Sequence, residues 1–208
     1  MKTILHVSCS PRGPASESHK LALKIVALLL EKEPTAIVIN RDLGAGTIGH
    51  VDTDYALSQG GPVDVSHEGS MIQSEEFVRE LESADFVVIG TPMHNLTVPS
   101  SLKAWIDHVV RARRTFNVTS AGKVGLLRDR PVLVAVASGG RFSGERARQP
   151  DFLTPYLKAV LAMIGLNDLT FFSIQATGSS SPDVLNDTRA GTDRELQAHF
   201  SSLYHAAH

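Results

Sequence analysis

The sequence predicts an α/β fold in which one parallel sheet is covered by helices on both faces. Five short apolar runs rich in β-branched residues show little alternation with polar positions, as is typical of strands buried on both sides. Segments with apolar residues at three-to-four spacing, the pattern of amphipathic helices, lie between these runs. Strand and helix patterns alternate along all 208 residues, which favours right-handed crossovers within a single sheet.

The predicted elements follow one another in a regular order. We expect strands at residues 3–7, 36–40, 86–90, 132–137 and 169–174. We expect helices at residues 18–31, 74–82, 100–113, 152–164 and 189–205. Their apolar faces consist, in chain order, of Leu21, Ile25, Leu28 and Leu29; Phe77, Val78 and Leu81; Leu102, Trp105, Ile106 and Val109; Leu153, Leu157, Val160, Leu161 and Ile164; and Leu196, Phe200 and Leu203. No repeat or linker interrupts this order, so residues 1–208 are expected to form one domain.

Two segments are long for loops. Residues 42–70 are polar and glycine-rich, and their apolar residues do not recur at a regular spacing. The pattern of residues 114–130 indicates an extended excursion or a small hairpin. Insertions of this length are usually lids or binding loops.

Composition excludes several classes of protein. Twenty Lys and Arg against 22 Asp and Glu give a net charge of −2, which argues against a dedicated nucleic-acid binder. The single cysteine, Cys9, excludes an internal disulfide and a multi-cysteine zinc site, and no histidine spacing favours a metal. The N-terminal apolar run is too short for an export signal and no run is long enough to span a membrane, so we expect a cytoplasmic protein with no membrane or nucleic-acid partner.

Polar residues follow the first predicted strand and lead directly into a helix. In an open α/β sheet the ligand binds outside the carboxyl ends of the strands. Ser10, Ser16 and Ser18, beside the amides of a helix N-terminus, favour a phosphate dianion. A serine N-cap after a polar turn is an equally good interpretation of these residues taken alone.

Two further loops follow neighbouring strands. Residues 91–99 offer backbone groups and the Asn95 amide, and in residues 137–144 the paired glycines Gly139 and Gly140 would let a flat ligand approach the main chain. Each loop alone is best interpreted as an ordinary turn. Three such loops at the carboxyl ends of neighbouring strands are a stronger signal than any one of them.

The ordered set of these motifs resembles the FMN-dependent NADH-azoreductases of bacteria, which are flavodoxin-like quinone and azo-dye reductases. The resemblance extends from about Lys2 to the last helix, with residues 51–70 the least similar. The motifs are Ser10 with Ser16-Glu17-Ser18, Pro92-Met93-His94-Asn95-Leu96, Leu102-Lys103 with Trp105-Ile106-Asp107, Ser138-Gly139-Gly140, and Thr154-Pro155-Tyr156-Leu157.

The resemblance implies a flavodoxin-like fold with a five-stranded parallel sheet, bound FMN, NADH or NADPH as co-substrate, and two-electron, ping-pong reduction of a quinone or azo acceptor. It also implies a homodimer with the active site at the subunit interface. The phosphate would be held by Ser10, Ser16, Ser18 and the backbone N–H of Glu17. The flavin ring would contact Met93, His94, Asn95 and Leu96, and the turn formed by Ala137, Ser138, Gly139 and Gly140 would face its pyrimidine edge.

The chemistry would lie mainly on the flavin, with His94 and Asn95 as the candidate catalytic side chains. An imidazole with an ordinary pKa near 6.5 can pass a proton to a reduced acceptor, although a histidine that only lines the pocket is an equal alternative. Many family members have Met-Tyr-Asn-Phe where this chain has Met93-His94-Asn95-Leu96, so its preference among planar acceptors is expected to differ.

The same sequence also admits functions other than the one that the resemblance implies. The two rival functions are that of a flavodoxin-type electron carrier and that of a non-catalytic protein that binds a phosphate-bearing ligand.

Residues 44–49 match the dinucleotide-binding fingerprint, but no helix with a regular apolar spacing follows them, which favours a turn. Arg111, Arg113 and Arg114 either complement a helix dipole or attract nucleotide phosphates. Cys9 is expected to be a buried structural thiol.

Overall fold

The computed structural model describes residues 1–46, 48–60, 69–179 and 181–205, and its centre is a five-stranded parallel sheet. The strands of the chain are β1 (Thr3–Ser8), β2 (Ile37–Asp42), β3 (Phe86–Pro92), β4 (Phe116–Thr119), β5 (Gly122–Gly125), β6 (Val132–Ala137) and β7 (Leu169–Ile174). The order in the sheet is β2-β1-β3-β6-β7, with parallel pairing throughout. The predicted flavodoxin-like class is confirmed, and the order reverses between β1 and β3, which is the switch point where ligands of such sheets bind.

Helices cover both faces of the sheet. They are α1 (Glu17–Lys32), α2 (Thr53–Gly60), α3 (Ser70–Ser83), α4 (Ser100–Val109), α5 (Leu153–Met163) and α6 (Pro182–His205). Because side chains alternate along a strand, Leu5 and Val7 pack with α3, α4 and α5, whereas Ile4 packs with α1 and α6. The central strands are therefore apolar on both faces, which is why they are visible in the sequence as continuous apolar runs.

Helix α2 corrects the expectation that residues 42–70 lack regular structure. Its eight residues are mostly exposed, so the apolar period is too short to be recognised. Tyr55 anchors it, since the buried ring places its hydroxyl where it donates to the backbone carbonyls of Asp107 and Val110. Residues 61–68 of the same segment lie outside the described residues.

Helix α4 is shorter than predicted. It ends at Val109 rather than at Arg113, because the Arg111 N–H donates to Thr115 Oγ1 at 2.9 Å instead of continuing the helix. The hairpin expected in residues 114–130 is present as the antiparallel pair β4–β5. Helix α6 begins at Pro182, earlier than the expected residue 189.

The arginines after α4 form ion pairs and hydrogen bonds with α2 and α3, which neither a helix-dipole role nor a nucleotide-binding role predicts. Arg111 and Arg114 both pair with Glu75 of α3, at 3.1 and 3.0 Å, and Arg113 donates to the Ser58 carbonyl of α2. Although partial burial opposes it, hydrogen bonds from Arg114 and Arg79 and the charge of Arg111 lower the pKa of Glu75 to about 2. The arginines thus hold α2 and α3 against the end of α4.

In the described ranges, no helix combines the length and apolarity needed to cross a membrane. Within the same residues, no group of three or more His, Cys, Asp and Glu side chains could hold a metal ion.

Candidate functional site

A cleft of about 370 Å³ opens at the carboxyl ends of β1, β3 and β6. It lies at the switch point, where the loops after the three strands meet. Its lining consists of Ser10, Pro11, Arg12, Ala15, Ser16, Glu17, Pro92, Met93, His94, Ala137, Gly139, Thr177 and Leu185. The structure therefore brings together all three loops that the sequence singled out.

One wall of the cleft is the loop from β1 to α1. The Cys9 N–H donates to the Gly90 carbonyl at 2.9 Å and ties the loop to β3. Gly44 packs against the same loop so closely that a Cβ there would lie 2.0 Å from the Ser10 carbonyl oxygen. Of the fingerprint-like glycines after β2, Gly44 thus packs against this loop, and it lies in a turn, as expected.

The N-terminus of α1 faces the cleft with its hydroxyl groups unused as caps. The first-turn N–H groups of a helix have no intrahelical partners. Among the described residues, the Ser16 side chain at the N-cap position makes no capping hydrogen bond to the helix; it lies 2.9 Å from the buried Ser18 hydroxyl instead. Amides and hydroxyls at one helix end form an environment that suits a phosphate dianion.

The Glu17 carboxylate is turned towards α6 and is paired there. Arg189 donates to both of its oxygens, at 2.7 and 2.9 Å, and Lys20 donates to one of them at 3.2 Å. The hydrogen bonds from Arg189 are the main reason why the pKa of the Glu17 carboxyl is lowered. The negative side chain at this position is thus compensated by cations.

A tight turn after β3 forms the second wall. The backbones of His94 and Thr97 exchange hydrogen bonds of 2.9 and 3.0 Å, so Asn95 and Leu96 are the two residues at the tip. Both have positive φ, 48° and 72°, a conformation that is uncommon for asparagine and strained for leucine. The turn leaves the His94 side chain exposed at the cleft.

The turn after β6 forms the third wall and is hydrogen-bonded to the second. The Met93 N–H donates to the Ala137 carbonyl at 2.8 Å. Gln149 lies beneath both turns, with its amide nitrogen 3.1 Å from Ser138 Oγ and 3.2 Å from Met93 Sδ. A Cβ placed on Gly139 would meet no atom within 4 Å, so this glycine presents open backbone.

Seven of the twelve predicted cofactor residues line the cleft: Ser10, Ser16, Glu17, Met93, His94, Ala137 and Gly139. The other five lie nearby but not on its lining: Ser18 in the first turn of α1, and Asn95, Leu96, Ser138 and Gly140 in the two later loops. Ser18 and Ser138 are buried behind the lining. Six further lining residues were not predicted: Pro11, Arg12, Ala15 and Pro92, which belong to or flank the loops that the sequence singled out, and Thr177 and Leu185. Thr177, Leu185 and the contacting Gln149 were missed because no local motif marks them.

Cys9 is a structural residue of this region. It is completely buried, and burial raises the pKa of its thiol far above the ordinary value, with the Asp42 charge acting in the same direction. A thiol so hard to ionise is a poor nucleophile. Trp105 is likewise buried in the core between α4 and the sheet.

A larger cleft of about 770 Å³ lies between residues 141–146 and α6. Its lining mixes arginines with carboxylates, among them Arg141, Arg146, Asp187 and Glu195. It does not include the loops after β1 and β3. The smaller cleft is therefore the candidate site, since it alone of the two combines the switch point with a helix N-terminus.

Comparisons with known proteins agree with this geometry. The family model described as a flavodoxin-like fold matches residues 2–200. An FMN-dependent NADH:quinone oxidoreductase of Pseudomonas fluorescens is 47% identical over 84% of each chain. A protein of the same name from Gluconobacter oxydans is 38% identical over 94% of this chain and 98% of its own. Among solved structures, an FMN-dependent NADH-azoreductase of Bacillus anthracis in complex with FMN has a TM-score of 0.77 at 25% identity, covering 98% of this chain and 99% of its own.

Proposed function

This chain belongs to the flavodoxin-like family of FMN-dependent NADH:quinone oxidoreductases, and we propose that it uses bound FMN to reduce quinones or azo compounds with NADH or NADPH. The observation that carries the proposal is the cleft at the switch point, where a helix N-terminus with two paired serine hydroxyls meets two further backbone-lined turns. Such a cleft combines a phosphate-binding end with a surface suited to a planar ring.

The residues at the phosphate end fit FMN. Ser16 and Ser18 are buried, and their hydroxyl groups are hydrogen-bonded to each other. In the part of the chain that is described, the Ser16 side chain does not cap its helix. Both hydroxyls can turn to donate to phosphate oxygens. Together with Ser10 and the first-turn amides, including that of Glu17, they would hold the dianion against the positive end of the helix dipole.

The residues at the ring end fit a flat ligand. In the proposal, Met93, His94, Asn95 and Leu96 support the ring, and the backbone of residues 137–140 faces its pyrimidine edge. Gly139 offers the main chain without a side chain in the way. The N–H groups of Gly139 and Gly140 would donate to that edge, where fixed donors stabilise developing negative charge.

Bound FMN would supply the hydride chemistry, and the protein would supply orientation and electrostatics. His94 is exposed at the mouth of the cleft, so its imidazole can donate a proton or a hydrogen bond to the acceptor. Asn95, at the tip of the strained turn, would orient the planar reactants.

We also propose that the protein is a homodimer with its site at the subunit interface, as the resemblance implies, and that it acts in the cytoplasm. Exposed apolar side chains are candidates for such an interface: Leu57, Ile72, Val118 and Phe152. Light scattering after size exclusion tests the assembly, and a monomeric mass would contradict it. Cell fractionation tests the location, and recovery outside the cytoplasmic fraction would contradict it.

Steady-state kinetics test the activity. The FMN-loaded protein is assayed with NADH and with NADPH against a panel of quinones and azo dyes, at several concentrations of both substrates. A ping-pong reductase gives parallel double-reciprocal lines with at least one quinone or azo dye. A flavodoxin-type carrier would bind FMN without turning over any member of the panel, and a non-catalytic phosphate-binding protein would not retain FMN.

A further inference from the structure

Glu17 brings a carboxylate to the same helix end at which a phosphate dianion would be bound. It is the first residue of α1, and it lines the cleft together with Ser10 and Ser16. A negative side chain at a helix N-terminus is favourable for the helix itself, but it repels an anion that binds at the same end. The chain therefore needs a way to keep this charge from opposing the cofactor.

Arg189 of α6 is positioned to do this. Its Nε and Nη2 atoms donate to the two Glu17 oxygens at 2.9 and 2.7 Å, although the residues are 172 positions apart in the sequence. A bidentate guanidinium–carboxylate pair fixes both the charge and the direction of the side chain. Lys20, one turn along α1, makes only a single contact of 3.2 Å with the same carboxylate.

We propose that Arg189 is a positioning residue for the phosphate end of the cofactor, which holds the Glu17 carboxylate against α6 and neutralises it. Because the phosphate belongs to the proposed FMN site, the role of Arg189 rests on the proposed function. Arg189 acts through Glu17 and does not belong to the lining of the cleft.

A second ion pair between the same two helices provides a matched control. The side chains of Lys24 and Asp193 lie 2.7 Å apart and also join α1 to α6, about two helical turns further along α1 and one turn further along α6. Neither residue lines the cleft. If the Glu17–Arg189 pair served only to dock α6 on α1, removal of either ion pair would affect FMN binding in the same way.

The test compares two flavins that differ only in the phosphate. Apo-protein is titrated with FMN and with riboflavin, and the quenching of flavin fluorescence gives the dissociation constant. The variants are Arg189→Gln, Glu17→Gln, the double variant of both, and Asp193→Asn as the control. Circular dichroism of each variant verifies that it is folded.

For Arg189→Gln we expect FMN to bind roughly tenfold more weakly, because an uncompensated charge near the dianion costs about that much at the edge of a protein. Riboflavin binding should stay within about twofold, since it has no phosphate to repel. The double variant should return to within about threefold of wild type. Glu17→Gln alone should bind FMN at least as tightly as wild type, which keeps the test decisive if Arg189→Gln does not fold. Asp193→Asn should match wild type.

Three results would overturn the role of Arg189. Equal weakening for both flavins would make Arg189 a packing residue, and a double variant as weak as Arg189→Gln would mean that the guanidinium itself contacts the phosphate. Unchanged FMN affinity in Arg189→Gln would remove the role altogether. A wild-type protein that binds no FMN would instead refute the proposed function.

Discussion

The buried hydroxyl groups of Ser16 and Ser18 lie 2.9 Å apart and hydrogen-bond each other at the first turn of α1. In this pair one hydroxyl donates and the other accepts, while the Ser16 side chain caps nothing in the described helix. Reorientation towards a ligand therefore costs one neutral hydrogen bond. The gain is charge-assisted hydrogen bonds to phosphate, which are about twice as strong.

Replacement of both serines should weaken FMN binding. A hydrogen bond to a charged group contributes about 1.5–3 kcal/mol, so Ser16→Ala with Ser18→Ala should raise the FMN dissociation constant by roughly ten- to a hundredfold. Titration of apo-protein measures this, with the exposed Ser83→Ala as the control. Unchanged FMN affinity in the double variant would remove the phosphate assignment.

Gln149 should be needed for the arrangement of the two ring-facing turns. Its amide nitrogen contacts both Met93 Sδ and Ser138 Oγ, and loss of such a contact costs about 1 kcal/mol. Gln149→Ala should therefore weaken FMN and riboflavin binding alike by about fivefold. Gln197→Ala on the exposed face of α6 serves as the control. A Gln149→Ala variant that binds both flavins as wild type does would contradict this role.

Leu96 stores backbone strain that a glycine would release. For a residue other than glycine the left-handed conformation costs about 1–2 kcal/mol, and the φ of Leu96 is 72°. In urea unfolding of apo-protein, Leu96→Gly should be as stable as wild type or more so, by up to about 1 kcal/mol. Leu96→Val should lose about 1 kcal/mol, since β-branching worsens the strain.

The exposed Leu126, which is not among the residues with positive φ, is the control. Leu126→Gly should lose about 0.5–1 kcal/mol, because glycine only adds freedom to the unfolded chain. Equal losses for glycine at both positions would show that the turn after β3 is unstrained.

Stability should decline as the pH falls from 7.5 to 5.5. The His108 ring is fully buried, and burial lowers its pKa below the ordinary value of 6.5, although Nε2 contacts the Gly49 carbonyl at 2.9 Å. Below about pH 6.5 the unfolded chain therefore binds more protons than the folded chain does. The stability gained from keeping His108 buried and neutral is complete above about pH 6.5, and it is lost as the pH falls below that value. Each such histidine adds a slope of up to about 1.4 kcal/mol per pH unit. His6, also buried, acts in the same direction.

Urea unfolding at several pH values measures the slope. His108→Gln should give a shallower decline than wild type, because it removes the buried imidazole. Identical slopes for wild type and His108→Gln would show that His108 is not responsible.

The sequence predicted an element of the fold wherever burial leaves a local pattern of apolar residues. The central strands are apolar on both faces, so their positions along the chain and the loops after β1, β3 and β6 could be found without coordinates. Helix α2 was not predicted, because it has eight residues and is held by Tyr55 contacts to α4 rather than by an apolar period. Gln149 and Arg189 act through contacts between distant segments, and no local spacing encodes such contacts.

Anaerobic stopped-flow mixing of the FMN-loaded protein with NADH, followed by a second mixing with a quinone, tests whether bound FMN carries the hydride between the two substrates. The visible flavin absorption should bleach before the quinone is added and return once it is mixed in. A flavin that stays oxidised with NADH and with NADPH would contradict this role of FMN, as would a reduced flavin that no quinone or azo compound reoxidises.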